Sequence, residues 1–293
     1  MYFLNIKKPK GMSSFDVIRE LRKKLKIKQI GHSGTLDPLA SGVLQVAVGK
    51  ATKLLDYLES DKEYIADLIF GYVTETFDSE AEPKFINEPN FSKEDLLNVL
   101  NSFIGKSKQI PPKYSAIKQN GKKLCDLVRD NKEIDINSFQ RDIEIYSIDL
   151  INFDKNTARI KVFCKKGTYI RSLVNDIGQK LGCGAYMSDL IRTKAGNFDI
   201  KDSCEINSDL KPLSPLDVLM LYKLELNDEQ YAKIKNGNFI ENDKLYQCSE
   251  ILLTKNNKLV SIARLSDNLI KPKKFFKEDE WILSLRLFLL AWF

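Results

Sequence analysis

His32 is the only histidine in a chain of 293 residues. Any mechanism that requires a Ser–His or Cys–His pair would therefore have to use this residue. The same count excludes metal sites that are built from several histidines, and the five cysteines contain no Cys-x-x-Cys pair. We therefore expect carboxylates, tyrosines and arginines to carry any catalytic chemistry, without a metal ion.

Asp37 lies in the stretch Gly31–Gly42, which reads GHSGTLDPLASG. Its glycines permit a tight backbone path, and Pro38 restricts the preceding aspartate to extended geometry. An aspartate held in this way can be partly buried and aimed at a substrate. Because Asp-Pro is also common in turns, spacing alone favours a capping or turn role for Asp37.

Arginine is scarce in this chain, with 9 arginines against 37 lysines. An ammonium group cannot replace the planar guanidinium fork, so an arginine inside a motif-like stretch is informative. Arg171 in KGTYIRSL and Arg192 in DLIRTKAG meet this description. The formal net charge of +6 is compatible with a polyanionic partner but does not demonstrate one.

The segment GHSGTLDPLASGVL belongs to an ordered series of motifs. KPKGMSS precedes it and KGTYIRSL follows it, and the series also includes ATKLLDYLESDKEY, QIPPKYSAIKQNGKKL, RDIEIYSI and GCGAYMSDLIRTKAG. From about residue 3 to about residue 200, this series strongly resembles the bacterial tRNA pseudouridine synthases that modify the T loop, the type B family. The resemblance implies an isomerase that converts uridine to pseudouridine at uridine-55, with the T arm of tRNA as its partner.

The resemblance assigns three residues to catalysis. Asp37 matches the catalytic aspartate, Arg171 the arginine that pairs with it, and Tyr64, in DKEY, the tyrosine that stacks on the target uracil. The reaction breaks the N1–C1′ bond of uridine, turns the base and joins C5 to C1′, which implies no cofactor. A carboxylate can attack C1′, stabilise positive charge there or remove a sugar proton; these roles stay open. We expect Arg171 to orient Asp37 by a bidentate bond and the Tyr64 hydroxyl to assist proton exchange at C5.

The resemblance also implies residues that contact the substrate. His32 matches the motif histidine that contacts the flipped nucleotide, and Tyr169 and Leu190 match two positions of the substrate pocket. Lys8 and Pro9, in KPKG, match a basic loop beside the active site.

Recognition of RNA is expected to be distributed over shape, phosphate and stacking contacts. A uridine inside a folded T loop must be extruded before a carboxylate can reach it. Further candidate contacts are basic segments of the chain: Lys10, Lys113–Lys123, Arg192–Lys194 and Lys271–Lys277. Generic surface charge is the alternative interpretation of Arg192 and Lys194, and a solvated hairpin is the alternative for Lys271–Lys277.

We expect an α/β fold of the α+β type, in which a mixed, largely antiparallel sheet is flanked by helices. Residues 1–220 would form this catalytic domain. Its cleft would be lined by the Asp37 segment, the Tyr64 strand and the start of a helix over Thr168–Leu181. Residues 221–293 show short strands and turn signals, in the position where the family carries a small PUA-like β-barrel that binds RNA.

Composition sets the remaining expectations. Apolar residues make up 43% of the chain and charged residues 29%, an ordinary globular balance. No apolar run approaches a membrane span, including the C-terminal run Trp281–Phe293, which we expect to be a last buried strand or to pack on the body. We therefore expect a cytoplasmic, monomeric enzyme that needs no cofactor, membrane or obligatory protein partner.

Two other functions fit parts of the pattern. A non-catalytic tRNA-binding or tRNA-folding protein could keep the same scaffold, but the intact Asp37, Tyr64 and Arg171 argue against it. A carboxylate-dependent glycosidase would usually need a second, paired carboxylate. The sequence predicts no second acid near the motif positions.

Overall fold

A mixed sheet of nine strands organises the chain up to residue 199. The computed structural model describes residues 1–115, 118–119, 122–123, 135–242, 246–266 and 268–276. The strands of this sheet are β1 (Tyr2–Lys8), β2 (Ile30–Ser33), β3 (Ser41–Val48), β4 (Lys62–Phe70), β5 (Gly105–Gln109), β6 (Arg141–Asp154), β7 (Thr157–Cys164), β8 (Ala185–Ala195) and β9 (Phe198–Asp199). They follow the order β1-β3-β8-β4-β7-β6-β5, with β2 added on β3 and β9 on β8.

The pairing around β3 determines where the Asp37 segment leaves the sheet. All strand pairs are antiparallel except β3 with β8, which run parallel and pair only at Ser41 and Gly42. β1 occupies one edge of β3, and β2 lies along the other edge beside Gln45–Val48. Residues 34–40, hereafter the Asp37 loop, therefore leave the sheet where β2 gives way to β8. The predicted mixed, largely antiparallel sheet is confirmed.

Helices flank the sheet. In the described residues they are α1 (Ser14–Leu25), α2 (Lys93–Asn101), α3 (Ile170–Lys180) and α4 (Pro215–Val218), whereas a later helix, α5 (Asp228–Lys235), packs on strands that follow it. Ser13 and Ser92 each close a capping box with the aspartate three residues later, so the first free N–H groups of α1 and α2 are satisfied. Within the described part of the chain, no helix is long and apolar enough to cross a membrane.

The largest apolar core lies between the sheet and the apolar faces of α2 and α3. Leu96 and Leu100 of α2 and Leu173 and Ile177 of α3 are buried there against strand residues such as Phe70. The spacing of these leucines and isoleucine places them on one side of each helix. This packing fixes the position of the first turn of α3, which carries Arg171.

A second sheet of five strands follows the catalytic region and forms a half-barrel. Its strands are β10 (Lys223–Glu225), β11 (Ile240–Glu241), β12 (Glu250–Lys255), β13 (Lys258–Ser266) and β14 (Leu269–Phe275), in the order β10-β12-β13-β14-β11. One apolar cluster of this sheet is its own and includes Ile251 and Val260. Leu252 and Ile262 instead share a cluster with Phe3 of β1, so the two sheets are joined by a continuous core.

The structure differs from the predicted elements at a few places. The glycine-rich stretch Gly31–Gly42 begins as part of β2 (Ile30–Ser33), because pairing with β3 satisfies the backbone hydrogen bonds there. Asp228–Lys235 is a helix inside a region expected to be all β, and Asn227 caps it. Lys113–Lys123 is only partly described, and Lys277 and Trp281–Phe293 lie outside the described residues.

Candidate active site

Hydrogen bonds to its own main chain hold the Asp37 loop in place. The Ser14 hydroxyl donates to the Leu36 carbonyl at 3.0 Å and accepts from the Leu36 N–H at 2.8 Å. The Gly11 N–H donates to the Pro38 carbonyl at 2.8 Å. The side chain of Asp37 is 38% exposed, so the backbone fixes the carboxylate while a substrate can still reach it.

Lys8 is a buried support of this loop. Its ammonium group is inaccessible to solvent and donates to the carbonyl oxygens of Pro9, Met12 and Pro38. Burial lowers the pKa of Lys8 to about 8. The group that would meet a phosphate is enclosed by backbone, which favours a supporting role for Lys8 over direct contact with RNA.

Arg171 lies beneath Asp37, in the first turn of α3. Its side chain is only 6% exposed, and its Nε lies 3.0 Å from Oδ2 of Asp37. The two terminal nitrogens donate elsewhere, Nη1 to the Thr76 carbonyl at 3.2 Å and Nη2 to the Tyr114 carbonyl at 3.1 Å. The structure thus brings the predicted pair together through one nitrogen, not through the bidentate bond expected from the sequence.

A second carboxylate, Asp78, lies on the other side of Arg171. Its Oδ2 is 3.3 Å from Nη1 of Arg171, and its side chain is fully buried. The Thr76 hydroxyl donates to Oδ1 of Asp78 at 2.6 Å, and the Glu80 N–H donates to the same oxygen at 3.0 Å. The sequence analysis missed this acid because 75–90 reads as an irregular polar segment, in which nothing distinguishes one acidic residue from its neighbours.

Tyr64 is a buried residue of β4, beside the strand that carries Leu190. Burial raises the pKa of Tyr64 to about 12, against the smaller opposing effect of the Arg192 charge. The phenol is consequently protonated at neutral pH. Leu190, also buried, pairs across the ladder with Ala66, two residues beyond Tyr64. The two predicted pocket residues therefore lie on adjacent strands.

Arg192 is fully buried, although the sequence analysis placed it among candidate RNA contacts. Its Nε donates to the Val43 carbonyl at 2.7 Å and its Nη2 to the Gly34 carbonyl at 3.0 Å. That prediction is wrong for direct contact, because the guanidinium lies under the Asp37 loop. Only the adjacent Lys194 is exposed, and it lies 3.7 Å from Asp199.

The remaining predicted residues surround the loop. His32 is half-buried on β2, where burial lowers its pKa. Tyr169 precedes α3 and is tied through its backbone to the side chain of Gln109. Pro9 is exposed, and its neighbour Lys10 forms an ion pair with Asp189 at 2.7 Å.

These residues share the electric field of Asp37. Burial is the main cause of the shifted pKa values of Lys8, Tyr64 and Tyr169, and the Asp37 charge raises all three. The arrangement thus offers one accessible carboxylate beside a guanidinium, with a protonated phenol and an apolar side chain nearby. A carboxylate in this position can stabilise or attack an electron-poor carbon.

Family models match most of the region that contains this arrangement. The TruB family pseudouridylate synthase N-terminal domain matches residues 22–170, and the tRNA pseudouridylate synthase B C-terminal domain matches residues 171–212. The chain belongs to the TruB family of pseudouridylate synthases. The family predicted from the sequence motifs is therefore confirmed, and with it the class of enzyme, an isomerase.

Relatives in the TruB family align along nearly the whole chain. The tRNA pseudouridine synthase B of Clostridium kluyveri is 43% identical, over 93% of this chain and 98% of the relative. The tRNA pseudouridine synthase B of Thermosipho melanesiensis is 41% identical, over 95% of this chain and 99% of the relative. A solved Cbf5-Nop10-Gar1 complex contains a chain with the same fold, with a TM-score of 0.70 at 23% identity over 96% of this chain and 86% of that one.

Proposed function

We propose that this chain isomerises uridine-55 to pseudouridine in the T loop of tRNA, with Asp37 as the catalytic carboxylate. The observation that carries the proposal is the Asp37–Arg171 ion pair at 3.0 Å, with the carboxylate exposed and the guanidinium buried. A buried, anchored guanidinium holds its carboxylate partner in place. Relatives named tRNA pseudouridine synthase B, such as that of Clostridium kluyveri, support the substrate.

We assign different tasks to the residues that would surround a flipped uridine. Asp37 would act at C1′ of the ribose, as nucleophile, as electrostatic stabiliser of an oxocarbenium-like centre, or as base for a sugar proton. The Tyr64 ring and Leu190 would hold the detached uracil while it turns. With a pKa of about 12, Tyr64 would serve as a hydrogen-bond donor and not as a phenolate base.

RNA binding would depend on groups at the surface around the loop. His32, Tyr169 and Pro9 are partly or fully exposed there, and Lys10 replaces Lys8 as the basic contact of the KPKG segment. We further propose that residues 221–293 form a small PUA-like domain that binds RNA. We also propose that the enzyme is cytoplasmic and acts as a monomer, without metal, cofactor or partner protein.

Asp78 bears on the alternative of a glycosidase. It is a second carboxylate close to the first, which such an enzyme would need. However, it is fully buried and bound to Arg171, Thr76 and the Glu80 N–H. An acid enclosed in this way cannot deliver a proton to a substrate, so it supports a role in anchoring Arg171.

Incubation of the purified chain with unmodified tRNA, in buffer with EDTA, tests the proposal. We expect pseudouridine at position 55, and none in a tRNA that carries cytidine there. Asp37→Asn should abolish turnover and leave tRNA affinity within about threefold, since affinity comes from many phosphate contacts. Turnover by Asp37→Asn at the wild-type rate, or a wild-type chain that binds tRNA without modifying it, would refute the assignment.

A further inference from the structure

Arg192 is the largest of the fully buried side chains in the described chain. Its guanidinium donates to two neutral main-chain oxygens, of Val43 and Gly34, and also interacts with the Tyr64 hydroxyl. Its Nη1 is buried without a well-directed partner among the described residues. Burying a cation without a compensating carboxylate is costly, and an apolar residue would fill the same space more favourably. This cost suggests that the guanidinium has a task beyond packing.

The contacts of Arg192 connect three separate elements. The residue lies on β8, its Nε reaches β3 at Val43, and its Nη2 reaches the first residue of the Asp37 loop, Gly34. The contact with β3 is unusually close, because a Cβ on Gly42 would lie 2.2 Å from the Arg192 carbonyl oxygen. The backbone of Arg192 is thus fixed against β3, and its side chain anchors the loop through the Gly34 carbonyl.

The guanidinium also lies next to the hydroxyl of Tyr64 on β4. Arg192 and Tyr64 are direct partners across the ladder between β8 and β4, and the guanidinium opposes the effect of burial on the pKa of the phenol. The ring proposed to hold the uracil and the loop that carries Asp37 therefore share one neighbour. Movement of this guanidinium would change the position of both.

We propose that Arg192 is a positioning residue, which ties the backbone of the Asp37 loop at Gly34 to the phenol of Tyr64 and so sets the distance between carboxylate and uracil. The role rests on the proposed function, because it is defined by the reaction at Asp37. Arg192 does not touch the substrate. It acts through Gly34 and Tyr64, and a small displacement of either suffices to slow a reaction that requires near-attack geometry.

Single-turnover rates at saturating enzyme, with tRNA affinity and thermal unfolding measured in parallel, test this role. Arg192→Gln should lower the rate by about 100-fold, with tRNA affinity within about threefold and cooperative unfolding retained. Arg192→Lys, which keeps the charge but not the fork, should recover part of the rate. Arg159→Gln is the matched control, since that arginine forms an exposed ion pair with Asp67 on the same sheet; its rate should stay near wild type.

A double-mutant cycle with Tyr64→Phe separates positioning from stability. If Arg192 acts through the phenol, Arg192→Gln should cost much less in the Tyr64→Phe background than in wild type, because coupled residues are not additive. Additive losses, or an unchanged rate in the folded Gln variant, would overturn the role. So would failure of both the Gln and Lys variants to fold, which would assign Arg192 to stability. A wild-type chain that forms no pseudouridine would instead refute the proposed function.

Discussion

Two buried cations hold the Asp37 loop at opposite ends. Arg192 binds the Gly34 carbonyl, and Lys8 binds the Pro38 carbonyl on the far side of the aspartate. Neither is exposed to solvent. At the residue scale, the carboxylate is therefore positioned by charges that the RNA does not reach, and the residues available for recognition are their exposed neighbours.

Lys8→Met tests the burial of this lysine through pH. The pKa of Lys8 is about 8 in the folded chain and 10.5 when unperturbed. Between these values the unfolded chain binds more protons, so the free energy of unfolding of wild type rises with pH. Relative to Lys8→Met, wild type should gain about 3 kcal/mol from about pH 7 to about pH 10.5, measured by denaturant titration.

Lys10→Met provides the control for this pH test. Lys10 is exposed on the same segment, so the difference between wild type and Lys10→Met should stay flat over the same pH range. For tRNA binding we expect Lys10→Met, and not Lys8→Met, to have the larger effect. Lys10→Met should reduce the salt dependence of tRNA affinity, and Lys8→Met should leave it unchanged. A flat difference for Lys8→Met would show that this lysine is solvated.

At the scale of elements, the parallel contact between β3 and β8 is short and depends on a glycine. Gly42 has a φ of +103°, and a Cβ there would lie 2.2 Å from the carbonyl oxygen of Arg192. A side chain at this position would separate the two strands at the point where the Asp37 loop ends and β3 begins. The close contact between β3 and β8 beside the Asp37 loop therefore requires glycine at position 42.

Gly42→Ala should lower the free energy of unfolding by more than about 3 kcal/mol, or prevent folding, because backbone atoms must move. Gly105 has the same φ of +103°, with nothing within 4 Å of an added Cβ. Gly105→Ala should therefore cost only the backbone strain, about 1–2 kcal/mol. Similar losses for the two variants, in denaturant titrations, would show that close packing at Gly42 is unimportant.

Structural features that depend on neighbouring residues could be predicted from the sequence, whereas features that depend on tertiary contacts could not. The capping boxes at Ser13 and Ser92 depend on neighbours three residues away, and they mark helix starts without knowledge of the fold. The burial of Lys8 and Arg192 depends on strands distant in sequence, so both were expected to be exposed. Asp78 has no local signal, since its importance comes from Arg171 alone.

At the scale of the whole molecule, the two sheets share an apolar core. Leu252, Leu259 and Ile262 of the half-barrel pack in one cluster with Phe3 and Val43 of the catalytic region. Lys274 adds a hydrogen bond to the Lys53 carbonyl at 2.7 Å. A shared core couples the stability of two regions, so we expect the described parts of the chain to unfold together.

Ile262→Ala tests this coupling by calorimetry. The side chain is fully buried in the shared cluster, so its truncation should lower the free energy of unfolding by about 2–4 kcal/mol. Unfolding should remain a single transition for wild type and variant. Ile151→Ala, at a half-exposed position, should have little effect. Two resolved transitions, of which only one moves, would mean that the sheets unfold independently.

The separation of β3 and β8 in the sequence has a consequence for synthesis of the protein. The Asp37 loop is made early, but its partner strand begins at Ala185 and the guanidinium that holds Gly34 comes at Arg192. Chains are made from the N-terminus, and regions fold as they become available. On the ribosome, in the midst of RNA, a growing chain therefore carries its carboxylate long before the site is complete, and it gains activity only when translation has passed β8.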